Sequence, residues 1–332
     1  MKLMENSQID PEENDVNIDL RFVKEQTDEI CLQAVKKDGL SLQLVLKQTP
    51  EICLAAVKKD GLALWYVREQ NPEMCKIAVS HKGHALQFVK DQTLEICMLA
   101  VQRDGRALMH VKNQTPELCL AAVKETGLAL QYVKEYTTEI CMAAVQRDGN
   151  ALRYIKLQTP ELCLAAVRQN GLALQYVIEQ TPEICMTAVR SCGDSIALVK
   201  EQTPEICLAA VKTNGYSIRL VRDQTPEICM AAVRQNGTAI AYLNEQTPEI
   251  CLAAVSNCGQ ALRHVMEQTP ELCLIAVSQN SFALQHVRNQ TMEMCLLAIK
   301  QSPEAIYCVH DRNTRDYLRS KFSIYEDRDT TM

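Results

Sequence analysis

The stretch Thr159-Pro160-Glu161-Leu162-Cys163-Leu164-Ala165-Ala166-Val167-Arg168-Gln169-Asn170-Gly171-Leu172-Ala173-Leu174-Gln175-Tyr176-Val177 decides the fold, because it is one copy of a unit that recurs along the chain. Thirteen of the sixteen cysteines fall 22 residues apart, from Cys31 and Cys53 to Cys273 and Cys295. With the repeat cysteine as position 0, all eleven glycines stand at +8 and nine of the eleven prolines at −3. Every copy has Glu at −2 and Ala at +3. A chain of 332 residues would ordinarily suggest two domains, but a repeat of this period overrides that expectation.

Each marker has a mechanical meaning. Thr159-Pro160-Glu161 reads as a helix start: the Thr oxygen accepts from an orphan amide, Pro suits the first helical position and Glu meets the positive end of the dipole. Lys58-Lys59-Asp60 followed by Gly61 reads as a helix stop, with the glycine expected in a left-handed conformation that reverses the chain. After the glycine, Leu172 to Val177 could alternate like a strand. However, the residue following glycine is often polar (Arg106, Asn150, Asp194, Gln260), whereas Ala151, Leu152, Tyr154 and Ile155 mark the constant apolar phase. That i, i+1, i+3, i+4 spacing belongs to a helix.

Each copy is therefore expected to hold a first helix of about 11 residues and a second of about 8, neither stable alone in water. Ile52-Cys53-Leu54-Ala55-Ala56-Val57 is apolar at every position and calls for cover nearly all round, which only neighbouring copies can supply. The fold class expected is an all-α solenoid, a superhelical stack of thirteen helix–turn–helix repeats, with a contour on the order of 130 Å at about 10 Å per copy. Small residues at the cysteine and paired alanines suggest that the first helices line the concave side. Residues 1–16 read as an N-terminal polar tail or cap, residues 17–312 as the repeat domain, and residues 313–332 as a C-terminal capping helix and tail. Within the second of these, Asn17 to Gln26 reads as an orphan second helix.

The recurring Ala122-Val123-Lys124-Glu125-Thr126-Gly127-Leu128-Ala129-Leu130 resembles the Ala-Val…Gly-x-Ala-Leu signature of domain-of-unknown-function family 4116. That family consists of tandem helical repeats met mainly in amoeba-infecting giant viruses and some bacteria. The resemblance covers nearly the whole chain. It implies helical repeats and brings no activity, substrate or cofactor with it. The Thr-Pro-Glu start and the regular cysteine depart from the family pattern.

Composition narrows the function classes. The hydrophobic fraction of 47% suffices for a core, and a net charge of −6 supplies no whole-chain attraction for nucleic acid or an anionic membrane. The apolar runs, such as Leu272 to Val277, are far short of the roughly 20 residues a membrane span needs. No secretory signal stands at the start, so the chain is expected to be soluble and intracellular (host cytoplasm if viral).

Catalytic, metal and cofactor sites are all expected to be absent. One thiol per copy cannot build a four-ligand zinc site, and copies about 10 Å apart are beyond disulfide reach. The cysteines read as small buried apolar residues. Cys192 and Cys258, at +7 where other copies carry Asp, Asn or Thr, are candidate exposed thiols. His110, His264 and His286 occupy the phase filled elsewhere by Tyr and read as half-buried rings. Basic residues form partial rows at +5 (Lys36, Lys58, Lys124, Arg168, Lys212, Arg234) and at +15 (Arg68, Lys90, Lys112, Lys134, Lys156, Lys200, Arg222).

The repeat breaks its own rule in one place. Trp65 stands where most other copies carry Gln, Arg or Ala, and in the next copy Asn71, Lys76, His81 and His84 all depart from the majority residue. These five residues form the candidate partner-binding patch, with the lone Trp as anchor. The leading expectation is a non-enzymatic scaffold for protein–protein contact with another protein as partner, no membrane, and an oligomeric state that the sequence leaves open. The alternatives are a single-stranded RNA-binding solenoid using the basic rows and, remotely, an enzyme with an unrecognised site.

Overall fold

The computed structural model describes residues 18–322, so residues 1–16, the expected N-terminal tail or cap, lie outside the described region together with Asn17 and with 323–332. The described residues are all-helical and form two compact units, one ending at Lys156 and the other beginning at Leu157. Ten-residue α-helices alternate with six-residue 3₁₀ helices, here labelled η. In the first unit they run from α1 (Asp28–Lys37) and η2 (Gly39–Leu44) through α2 (Pro50–Lys59), η3 (Gly61–Tyr66), α3 (Pro72–His81), η4 (Gly83–Phe88), α4 (Leu94–Arg103) and η5 (Gly105–His110) to α5 (Pro116–Glu125), η6 (Gly127–Tyr132), α6 (Thr138–Arg147) and η7 (Gly149–Tyr154). In the second they run from α7 (Pro160–Gln169) and η8 (Gly171–Tyr176) to α13 (Met292–Gln301) and η14 (Pro303–Cys308). Within each unit, α packs on the next α and η on the next η, in the stacking expected of the α-solenoid class.

The second element of each repeat is a 3₁₀ helix rather than the expected eight-residue helix. Its bonds run i→i+3, as from the Ala63 amide to the Asp60 carbonyl (2.9 Å) and from the Val67 amide to the Leu64 carbonyl (3.2 Å). The apolar spacing read from sequence suits three residues per turn as well as 3.6, so it could not separate the two. The orphan N-terminal helix is likewise a single 3₁₀ turn, η1 (Leu20–Phe22), and the C-terminal helix α14 (Arg312–Phe322) begins one residue before the expected boundary.

The α-helix starts follow the sequence reading. Thr49 Oγ1 accepts from the Ile52 amide (3.3 Å), Pro50 is the first helical residue and Glu51 lies in the first turn. Position +7 then serves two elements. The Asp60 amide donates to the Ala56 carbonyl (2.8 Å) to close α2, and its carboxylate accepts from the Leu62 amide (2.8 Å) to open η3. Burial of Ile52, Cys53, Ala56 and Val57 leaves Leu54 and Ala55 half-exposed, so the first helix is covered on one broad face and not all round. Ala63, Leu64 and Val67 complete the core from the η layer.

The glycine has a different task from the one expected. Gly61 is not in the left-handed region; instead, a Cβ there would lie 2.5 Å from the Ala78 carbonyl oxygen of the next α-helix. The same holds at Gly127, where a Cβ would meet the Ala144 oxygen at 2.7 Å and the Asp148 Cβ at 2.8 Å. Glycine is thus the residue that lets one copy's η backbone touch the C-terminal turn of its neighbour.

The connectors are tied by a glutamine at −5. Gln48 donates from Nε2 to the Tyr66 carbonyl (2.9 Å) and accepts at Oε1 from the Arg68 amide (3.1 Å), joining the loop before α2 to the loop after η3. Gln70, Gln92 and Gln114 repeat both bonds in the first unit, and Gln158, Gln180 and Gln202 do so in the second. Among the thirteen copies only Tyr136 departs from glutamine at −5. Replacing Tyr136 with Gln is expected to add both bonds, to the Tyr154 carbonyl and the Lys156 amide, and to stabilise the chain by about 1 kcal/mol. An unchanged or lower urea midpoint would exclude this role for the amide. Gly127→Ala is expected to lower stability by about 1–3 kcal/mol, because the added carbon must displace backbone; the same melt checks it.

Candidate functional site

Residues three apart on a 3₁₀ helix lie nearly eclipsed, so positions +9 and +12 of each η element share a face. Leu62 and Trp65 are such a pair on η3, His84 and Gln87 on η4, and Arg106 and Met109 on η5. Trp65 is 64% exposed and meets the edge of Phe88 with ring centroids 4.6 Å apart. Beside this row an open cleft of about 410 Å³ is lined by Leu62, His81, Lys82, His84, Arg103 and Arg106, with Asp104, Glu125 and Thr126 completing its wall.

Of the five residues singled out by sequence, the structure brings His81 and His84 together in this cleft, with Trp65 on the η element that supplies Leu62 to its lining. Asn71 and Lys76 are elsewhere. Asn71 caps α3, accepting from the Met74 amide at 2.9 Å in place of the usual Thr. Lys76 pairs with Glu95 of the next copy at 2.6 Å. Sequence reasoning did not single out Lys82, Arg103 or Arg106; the signal available was that +7 and +9 are seldom basic.

The electrostatics of the cleft are local. His84 Nδ1 lies 3.1 Å from Asp104 Oδ2, and the Asp104 Oδ1 accepts from the Arg106 amide at 3.0 Å. Lys82 reaches back to Asp60 at 2.9 Å. Burial pushes the Asp60 carboxyl up, but the Lys82 ammonium and the Leu62 amide outweigh it, and the acid is held below its ordinary range. The second unit shows the opposite arrangement at +9. There Asp194 is surrounded by its own donors: Ser217 Oγ at 2.7 Å, Asn214 Nδ2 at 3.1 Å and the Arg219 guanidinium at 2.5 Å.

The thiol ladder is buried in every copy. Burial pushes the thiols up, as at Cys119 and Cys163, which opposes thiolate formation. Most also sit near the glutamine clamp, Cys163 Sγ lying 3.5 Å from Gln158 Oε1. Cys192 and Cys258 are partly exposed and cap η9 (Gly193–Leu198) and η12 (Gly259–His264) without a side-chain bond. Cys308 is a third partly exposed thiol, which the sequence reading did not single out. Among the described residues no group of three or more His, Cys, Asp and Glu side chains is placed to hold a metal ion. Among them, too, no helix is long and apolar enough to cross a membrane.

Most of the basic row at +15 turns inward to the backbone. Lys90 Nζ donates to the Arg68 carbonyl (2.7 Å), Lys112 to the Lys90 carbonyl (2.9 Å) and Arg222 to the Lys200 carbonyl (3.0 Å). Arg288, absent from the sequence-derived row, does the same to Met266 at 2.7 Å.

The family model described as "Domain of unknown function (DUF4116)" matches residues 28–70, 115–159, 203–247 and 225–269. The chain carries DUF4116 repeats. No curated protein and no solved structure matches it. The matched segments each begin at or near an α-helix start and reach into the connector two copies on, so the DUF4116 unit spans two of the 22-residue copies.

Three histidines at +13 give the DUF4116 chain a pH signature. Burial holds His110 below its ordinary value, with His84 adding to the effect, and the His110 Nε2 is a buried atom without a partner. Burial acts likewise on His264 and His286, assisted by Arg263 in both and by His264 at the latter. These groups bind protons more readily when unfolded, so stability is full above about pH 6.5 and is lost as pH falls through the lower folded values. The combined variant His110→Tyr, His264→Tyr, His286→Tyr, carrying the residue usual at this phase, is expected to flatten the fall in urea midpoint between pH 7.5 and 5.5. An unaltered slope would show that these rings are not its source.

Proposed function

We propose that this DUF4116 chain is a non-enzymatic repeat scaffold that holds a partner protein against the η layer of its first unit. The observation that carries this reading is Trp65, 64% exposed yet in T-shaped contact with Phe88, next to a cleft whose lining departs from the repeat. A large aromatic ring held in one orientation loses little freedom on being covered, which is what a binding anchor requires.

The competing RNA-tracking reading draws less support. Its +15 row donates to backbone carbonyls, so those amines already serve the stack. The +5 row, such as Lys124 and Lys212, remains exposed and is where such a strand would have to run. Binding of a ten-nucleotide uridine RNA across a salt series separates the readings: a steep loss with rising salt favours RNA, and no binding at low salt removes it.

The scaffold reading is tested by crosslinking the tagged chain in its native cell and mapping the crosslinked sites. Partner crosslinks are expected around η3 and η4, and the variant Trp65→Ala with His84→Ala is expected to lose them. Retention of the same crosslinks by that variant would exclude this face as the contact.

A further inference from the structure

The cleft beside Trp65 differs from the corresponding surface of other copies in charge. Position +7 is basic only at Lys82, and position +9 only at His84 and Arg106, in consecutive copies. Arg103 at +6 adds a further basic residue, and all four line the one cleft. Lys82 stands where most copies carry an Asp or Asn cap, and η4 has no side-chain cap bond. A side-chain cap stabilises a helix start, so stability is forgone at this spot.

The charges present are unequally engaged. Lys82 is tied to Asp60, and Asp104 is held by His84 and the Arg106 amide. The Arg103 Nε makes only a long bond of 3.4 Å to the His81 carbonyl, and the Arg106 Nε lies 3.9 Å from Asp104. Two guanidinium forks of one copy, at the end of α4 and the start of η5, therefore face one cleft, opposed on the wall by Glu125. Planar forks of this kind match an oxyanion in bidentate geometry.

We propose that this cleft receives a carboxylate of an acidic segment of the partner protein, held by Arg103 and Arg106, while an apolar side chain of the same segment covers Trp65. The proposal rests on the scaffold reading and specifies the chemistry of its partner. A strand of nucleic acid fits less well, since a phosphate track calls for cations recurring copy after copy, and +9 is basic in two copies only. The volume of about 410 Å³ accommodates one or two acidic side chains.

The test uses the full chain and a fluorescein-labelled probe peptide of eight glutamates followed by two leucines, read by anisotropy. Saturable binding is expected, weakened at least tenfold in the variant Arg103→Gln with Arg106→Leu. Both replacements are residues that other copies carry at these positions, which favours retention of the fold; circular dichroism verifies it. The control variant Lys212→Ala with Arg234→Ala is expected to bind as the parent does, and a peptide with glutamine for every glutamate to bind at least tenfold more weakly. Absence of saturable binding, equal loss in both variants, or displacement of the peptide by the uridine RNA would overturn the proposal. Failure here with Trp65-dependent crosslinks intact would remove only the acidic-segment inference; loss of both would remove the scaffold reading as well.

Discussion

The side-chain amide of one glutamine, present in every copy but that of Tyr136, holds the connectors of this protein in register. A chain that turns every few residues leaves amides and carbonyls at its bends that no helix can satisfy, and buried polar groups of this kind must find partners. The glutamine supplies a donor and an acceptor at once, as Gln114 does to the Tyr132 carbonyl and the Lys134 amide. Its oxygen also lies near the repeat thiol, which places Cys119 at 3.6 Å. Cysteine in this fold is a compact apolar filler beside a polar clamp, kept from ionising by burial.

A second constraint acts between copies. The α-helices can stack closely because the η backbone of one copy touches the Ala carbonyl at the end of the next helix, a contact that leaves no room for a Cβ. Where alanine at +10 becomes serine, the hydroxyl falls in the same crowded place: Ser195 Oγ would lie 2.7 Å from a Cβ at Gly171, and that oxygen is buried without a partner. The spacing of the stack is thus set by backbone, and side chains decorate it.

This division explains where function can reside. The −5, 0, +3, +4, +8, +10, +11 and +14 positions serve the core or the clamp, and the +15 cations serve backbone carbonyls. Positions +6, +9 and +12 border the η layer and are free to vary, and there and at the cap position +7 the first unit carries Trp65, Lys82, His84, Arg103 and Arg106. On the scaffold reading proposed above, a local charge pattern on a regular surface would give a partner one place to dock where the repeat offers many equivalent ones.

Sequence by itself determined the period, the helical class, the α-helix start at each Thr and the buried phase of each layer, because capping chemistry and apolar spacing are written in neighbouring residues. It also located the departure at Trp65, His81 and His84. Only the tertiary structure decided that the second element is 3₁₀, that glycine serves a contact with the next copy, and that the amide at −5 joins two connectors. The last two depend on what lies 17 to 20 residues away in the chain, as Gly61 on Ala78 and Gln48 on Arg68 show, and the first was hidden because the apolar spacing suits both helix types. The cleft belongs to the same class: Lys82, Arg103 and Arg106 are ordinary surface cations in a linear reading, and stacking alone brings them to one wall.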